Sequence, residues 1–106
     1  MIALNSVTVY CGSADGLDKI YIAAALQMGA ALASRGITLI YGGGKTGLMG
    51  AVADGALAAG GKVVGVIPES MNTPALAQTG LTRLEVTPDI QTRFARMVDL
   101  ADAFIA

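Results

Sequence analysis

The sequence predicts an α/β fold: a parallel sheet of about five strands with helices on both faces, in one domain spanning residues 1–106. Three observations predict it. Short β-branched, apolar runs alternate with longer helix-like segments along the whole chain. These runs are apolar almost throughout rather than at every second residue, as strands buried on both faces are. The first three stop at glycine or proline, where a chain leaves a sheet.

Ser6 to Cys11 (SVTVYC) is the first strand, ending at Gly12-Ser13. Asp18 to Ser34 is Ala-rich with apolar spacings of three and four, a helix closed by Gly36. Ile37 to Tyr41 (ITLIY) is the second strand and runs into Gly42-Gly43-Gly44. Thr46 is placed to cap a helix from Gly47 to Ala59, stopped by Gly60-Gly61. Lys62 to Ile67 (KVVGVI) is the third strand, ended by Pro68, and residues 69–80 read as irregular or weakly helical. Leu81 to Val86 is the fourth strand. Thr87 as cap and Pro88 at the first helical position open a helix to Leu100. Asp102 to Ala106 (DAFIA) starts a fifth strand, so the sheet is expected to be incomplete at its C-terminal side. Ligands of such sheets bind outside the carboxyl ends of the strands.

Composition excludes several function classes. Hydrophobic residues make up 54% and charged residues 14%, yet no apolar window is long enough for a membrane span. No basic and apolar leader opens the chain. Seven Lys+Arg against eight Asp+Glu leave a net charge of −1 and no basic stripe, so a nucleic-acid partner is not expected. The lone Cys11 cannot form an internal disulfide, which points to a cytoplasmic protein. There is no histidine, and the only glutamates are Glu69 and Glu85. His-based general bases, most zinc sites and carboxylate-rich metal cages are thereby unexpected. Arg, Lys, Asp, hydroxyls and backbone amides remain to do chemistry.

Gly42-Gly43-Gly44-Lys45-Thr46-Gly47 joins a strand to a helix, where backbone amides and the helix N-terminus suit an anion such as phosphate. A Walker loop fails, because Leu39 stands where it needs glycine. The dinucleotide pattern G-x-G-x-x-G is met by Gly42, Gly44 and Gly47, with Glu69 as the downstream acid, but it normally follows the first strand. Glycines serving only a tight turn and close packing are the third reading.

The stretch YGGGKTGLMGAVADGALAAGGKVVGVIPE resembles the LONELY GUY (LOG) family of nucleotide phosphoribohydrolases, and VYCGS and RFARMVDLADAFIA extend the resemblance over nearly the whole chain. The resemblance implies a Rossmann-like homodimer without metal or organic cofactor. Its reaction is hydrolysis of the N-glycosidic bond of a nucleoside 5′-monophosphate, a cytokinin riboside monophosphate or AMP, to free base and ribose 5-phosphate. Arg93 matches the family's catalytic arginine. The family's catalytic glutamate lies in a P-G-G-x-G-T-x-x-E motif that has no counterpart before Ala106. Phe94 stands where the family usually has lysine, and Ala75 where it commonly has a substrate-contacting glutamate. A non-catalytic nucleotide-binding module and an inactive fragment therefore stand beside the hydrolase.

On a helical projection, Leu100, Met97, Ile90, Ala101, Phe94 and Val98 form an apolar arc about 160° wide. Arg93 falls inside its edge and needs a partner, either a phosphate or ribose ligand or an internal Asp such as Asp102. Phe94 falls at the centre, suited to core or dimer packing, and Arg96 outside it, solvated. Ser13 is a ligand donor or a turn cap. Lys45 is a phosphate contact or a solvated loop residue. Met49 lines the nucleotide pocket, as the resemblance implies, or packs in the core. Cys11 reads as a small core residue rather than a nucleophile, and Asp54 as solvent-facing or ion-paired.

Overall fold

The computed structural model describes residues 4–12 and 18–105. Five strands form one parallel sheet: β1 (Ser6–Val9), β2 (Thr38–Tyr41), β3 (Val63–Pro68), β4 (Arg83–Thr87) and β5 (Ala103–Ile105). Three helices connect them: α1 (Lys19–Ser34), α2 (Gly47–Ala58) and α3 (Ile90–Leu100). Between β3 and β4 the chain makes only a short 3-10 turn, Glu69–Met71, before an irregular loop.

The strand order is β4-β3-β2-β1-β5. The chain steps outward from β1 to β4, then α3 carries it back over the sheet to β5 on the far side of β1. The direction of winding reverses between β1 and β5, so the ligand crevice of such a sheet is expected at the carboxyl end of β1. Val7, Val9, Leu39, Tyr41 and Val63 form the core on the face covered by α1 and α2. Ile40, Val66 and Met97 form a smaller core beneath α3. Leu39 and Tyr41 face one layer and Ile40 the other, which is why β2 is apolar at every step.

Local chemistry explains the helix ends. The Asp18 carboxylate accepts from Ile20 N–H at 3.0 Å, opening α1. Gly36 follows α1 with φ +68, a conformation that costs glycine nothing. Thr46 occupies the N-cap position of α2 in extended conformation, although its side chain makes no capping bond there. The start of α3 corrects the expectation that Thr87 caps it. Thr87 is still paired with Pro68 in the sheet, so the strand runs one residue longer. Asp89 takes the cap instead, accepting from Thr92 N–H at 2.7 Å, and that bond holds its carboxyl below the usual carboxylate range. At the other end, two β1 hydroxyls receive the last carbonyls of α3. Thr8 donates to Met97 at 2.9 Å and Ser6 to Leu100 at 2.8 Å.

Arg96 is not simply solvated, as its place on the helix suggested. Its guanidinium meets the Glu85 carboxylate on β4 at 2.7 Å, and Arg83 joins from the other side at 2.5 Å. The hydrogen bond from Arg96 is the main cause that holds the Glu85 carboxyl below its ordinary range. A carboxyl depressed in the folded state adds stability above its unfolded value, about 4.3, and that contribution disappears as pH falls through the folded value. Glu85→Gln is therefore expected to lose a modest amount of stability at neutral pH and to flatten the acid limb, its difference from wild type shrinking as pH falls below about 4.3. Urea unfolding at a series of pH values measures it; an acid limb as steep as before would contradict it.

Candidate active site

Arg93 sits on the first turns of α3, one turn before the buried Met97, and its side chain runs beneath the helix toward the strand ends. Its Nε–H donates to the Val66 carbonyl at 2.9 Å, and a terminal N–H donates to the Gly42 carbonyl. Within the chain its partners are thus two carbonyls and not Asp102. Asp102 accepts instead from Asn5 N–H at 2.8 Å and Ser6 N–H at 3.1 Å, stitching the start of β5 to β1. Two carbonyls orient the guanidinium without neutralising it. Burial lowers its pKa, the direction desolvation gives a cation.

Two cavities meet at this arginine. The first, about 300 Å³, is lined by Val9, Tyr10 and Cys11 at the end of β1 and by Phe94 and Met97 of α3. The second, about 210 Å³, lies against Gly44 and Thr46 at the start of α2, with Ile67, Met71 and Leu76 around it. Gly42, Met49 and Arg93 line both. This is the region that the winding reversal marks out.

Each glycine of the loop has its own reason. A Cβ on Gly42 would stand 2.4 Å from an Arg93 nitrogen and 2.8 Å from Met49 Cε. Gly43 has φ +80, and its carbonyl accepts from Gln78 N–H at 2.9 Å. A Cβ on Gly44 would stand 2.6 Å from Met49 Sδ. The loop amides are already engaged: Gly44 N–H donates to Met49 Sδ at 3.1 Å and Lys45 N–H to the Leu76 carbonyl at 2.9 Å. Tyr41, fully buried, donates its hydroxyl to the Gly44 carbonyl at 3.0 Å. Gly42→Ala is expected to evict the Arg93 guanidinium, because both clashing groups are flexible side-chain ends. It should cost at least about tenfold in anion affinity, the scale of one charged hydrogen bond, with the fold intact by circular dichroism. Unchanged affinity would contradict it.

The remaining candidates fall as follows. Ser13 lies outside the described residues. The Lys45 ammonium donates to the Pro74 carbonyl and lines neither cavity. Cys11 is half-buried on the first cavity, and burial pushes its thiol up, away from nucleophile behaviour. Asp54 is exposed and accepts from the Gln78 amide at 2.6 Å. Phe94 is not a core residue: it is 52% exposed and stacks on Tyr10 at 5.9 Å between ring centres. Ala75 is exposed on the loop beside Pro74. Tyr10 was missed from sequence as a cavity wall, as were the two carbonyls that hold Arg93. Only the position of Tyr10 at the end of a strand could have pointed to it. Neither cavity has an Asp or Glu among its described lining residues. No group of three metal-ligating side chains occurs among the described residues, nor does a helix long and apolar enough to cross a membrane.

A sequence profile of the SLOG cluster4 family matches residues 2–105. The chain belongs to that family. It is 50% identical over 103 residues to a cytokinin riboside 5′-monophosphate phosphoribohydrolase of Rhodococcoides fascians, covering 96% of this chain and 52% of that protein. It is 41% identical over 100 residues to a probable enzyme of the same name from Oryza sativa subsp. japonica, covering 94% and 45%. The chain thus spans about half the length of these relatives. Among solved structures, the molybdenum cofactor carrier protein of Chlamydomonas reinhardtii superposes with a TM-score of 0.78 at 22% identity, over 93% of this chain and 59% of that one. That likeness shows a shared Rossmann-like fold, as the LOG resemblance implied.

Proposed function

We propose that this SLOG cluster4 chain binds a nucleoside 5′-monophosphate in the divided cavity and serves hydrolysis of its N-glycosidic bond. The observation that carries the reading is the Arg93 guanidinium, half-buried, uncompensated by any carboxylate among the described residues and standing at the wall common to both cavities. Two of its five N–H groups go to carbonyls, and the fork has further donors for a phosphate or ribose oxygen. The names of the relatives supply the reaction. Cleavage develops positive charge on the ribose, which a nearby carboxylate stabilises, while water attacks and the base departs with a proton. Arg93 holds the nucleotide, and Gly44 and Thr46 at the start of α2 border the phosphate's end of the cavity.

The absence of a carboxylate among the described lining residues favours a second reading, in which these residues bind the nucleotide without turning it over. One experiment separates the two. The chain is incubated with AMP, GMP, CMP and UMP, and with isopentenyl-adenosine monophosphate, and free base is followed by chromatography. Base release supports hydrolysis; binding without release supports the binding module; neither sinks both.

The active form is proposed to be a homodimer. Ile90, Phe94 and Val98 are spaced by four residues and form an exposed apolar stripe along α3, with Phe104 stacked near it on Tyr10 at 6.2 Å. Such a stripe suits a second copy better than water. Sedimentation showing a monomer at micromolar concentration would count against it. The single Cys11 suits a reducing cytoplasm.

A further inference from the structure

The two cavities share three residues, and one of them, Met49, is a flexible apolar side chain that stands between the glycine loop and the guanidinium. Its Cε lies against Gly42 and its Sδ against Gly44, where it accepts the Gly44 N–H at 3.1 Å. A thioether is a weak acceptor, and methionine changes rotamer readily. A phosphate oxygen is a far stronger acceptor for the same N–H, which lies just before the N-terminus of α2, a helix of 12 residues. Each cavity alone is at or below the lower end of small-molecule sites. Joined, they reach from Gly44 and Thr46 to the stacked rings of Tyr10 and Phe94, a phosphate-sized end and an aromatic end.

We propose that Met49 is a movable septum of one site, displaced when a phosphate oxygen of the ligand takes the Gly44 N–H and the base reaches the Tyr10–Phe94 wall. Met49 thereby competes with the ligand's phosphate for this N–H and moderates the preference for nucleotides over the corresponding nucleosides. This rests on the nucleotide reading above and adds to it the residue that admits the phosphate. Met49→Leu conserves volume and removes the acceptor, leaving the N–H for the ligand. Met49→Gln keeps the chain length and offers a stronger acceptor, which closes the septum more firmly.

The test is titration of the whole chain, wild type and both variants, with AMP and with adenosine, followed by nitrogen-15 NMR including the Gly44 amide. In Met49→Leu the preference for AMP over adenosine is expected to rise about three- to tenfold, the scale of one net hydrogen bond. In Met49→Gln it is expected to fall, each preference being the ratio of AMP to adenosine affinity within the same variant. The Gly44 amide should shift strongly with AMP and hardly with adenosine. A preference in Met49→Leu that stays constant or falls, while wild type binds AMP, overturns the septum alone. A wild type that binds no AMP overturns the nucleotide reading and the septum with it.

Discussion

Arg93→Ala is expected to lower nucleotide affinity or base release by at least about 100-fold, the loss typical of one preorganised group facing developing or bound charge. The size of the effect follows from how the arginine is held. A carboxylate partner would have cancelled most of its field. The Val66 and Gly42 carbonyls fix the plane of the guanidinium but leave its full positive charge available to an anion. Arg93→Lys keeps the charge and loses the planar fork, because one ammonium cannot serve the Val66 and Gly42 carbonyls and a ligand together. It should recover only a small part of the loss. Asp102→Asn is the control, since its carboxylate accepts from Asn5 and Ser6 rather than from Arg93, and it should bind AMP as wild type does. Calorimetric titration with AMP measures all three. An Arg93→Ala protein that binds as tightly as wild type would place the anion elsewhere.

Most elements of the fold were legible because β1, β2 and β3 are largely apolar and run into glycine or proline, whereas β4 carries Arg83 and Glu85 and was bounded less well. The site was legible only in part. YGGG announced close backbone approach, but not which groups approach: an arginine at Gly42, a methionine at Gly44 and a left-handed backbone at Gly43. The partners of Arg93 are carbonyls 27 and 51 residues away, and a carbonyl acceptor has no residue-type signature. The apolar arc of α3 misled differently. Its width allowed core or dimer packing for Phe94, and core packing is excluded because the sheet covers only the side bearing Met97, Leu100 and Arg93, so Ile90, Phe94 and Val98 stay outside. Sequence spacing gives the angular position of a side chain on its helix. How much of that arc a neighbour covers is a tertiary property, set here by where α3 crosses the strands.

Gly29→Ala is expected to destabilise the fold by about 2 kcal/mol or more, although an alanine in a helix normally helps. Two effects oppose each other. Replacing an interior helical glycine by alanine gains up to about 1 kcal/mol in backbone propensity. Against that, a Cβ on Gly29 would stand 2.0 Å from the Val52 carbonyl oxygen and 2.7 Å from Ala56 N. Both are backbone atoms of α2, so no side-chain rotation relieves the contact, and the two helices must separate. Separation opens the layer in which Val52, Ala53 and Ala56 are buried, and close-packed interiors pay for each gap in lost contacts. Gly55 makes the reciprocal approach from α2, its added Cβ falling 2.1 Å from the Leu26 carbonyl oxygen of α1. Gly55→Ala should therefore cost a similar amount. The double variant should cost less than the sum, because helices already forced apart by one methyl leave room for the other. Urea unfolding of the three variants measures this, and single variants as stable as wild type would show that α1 and α2 do not need glycine where they cross.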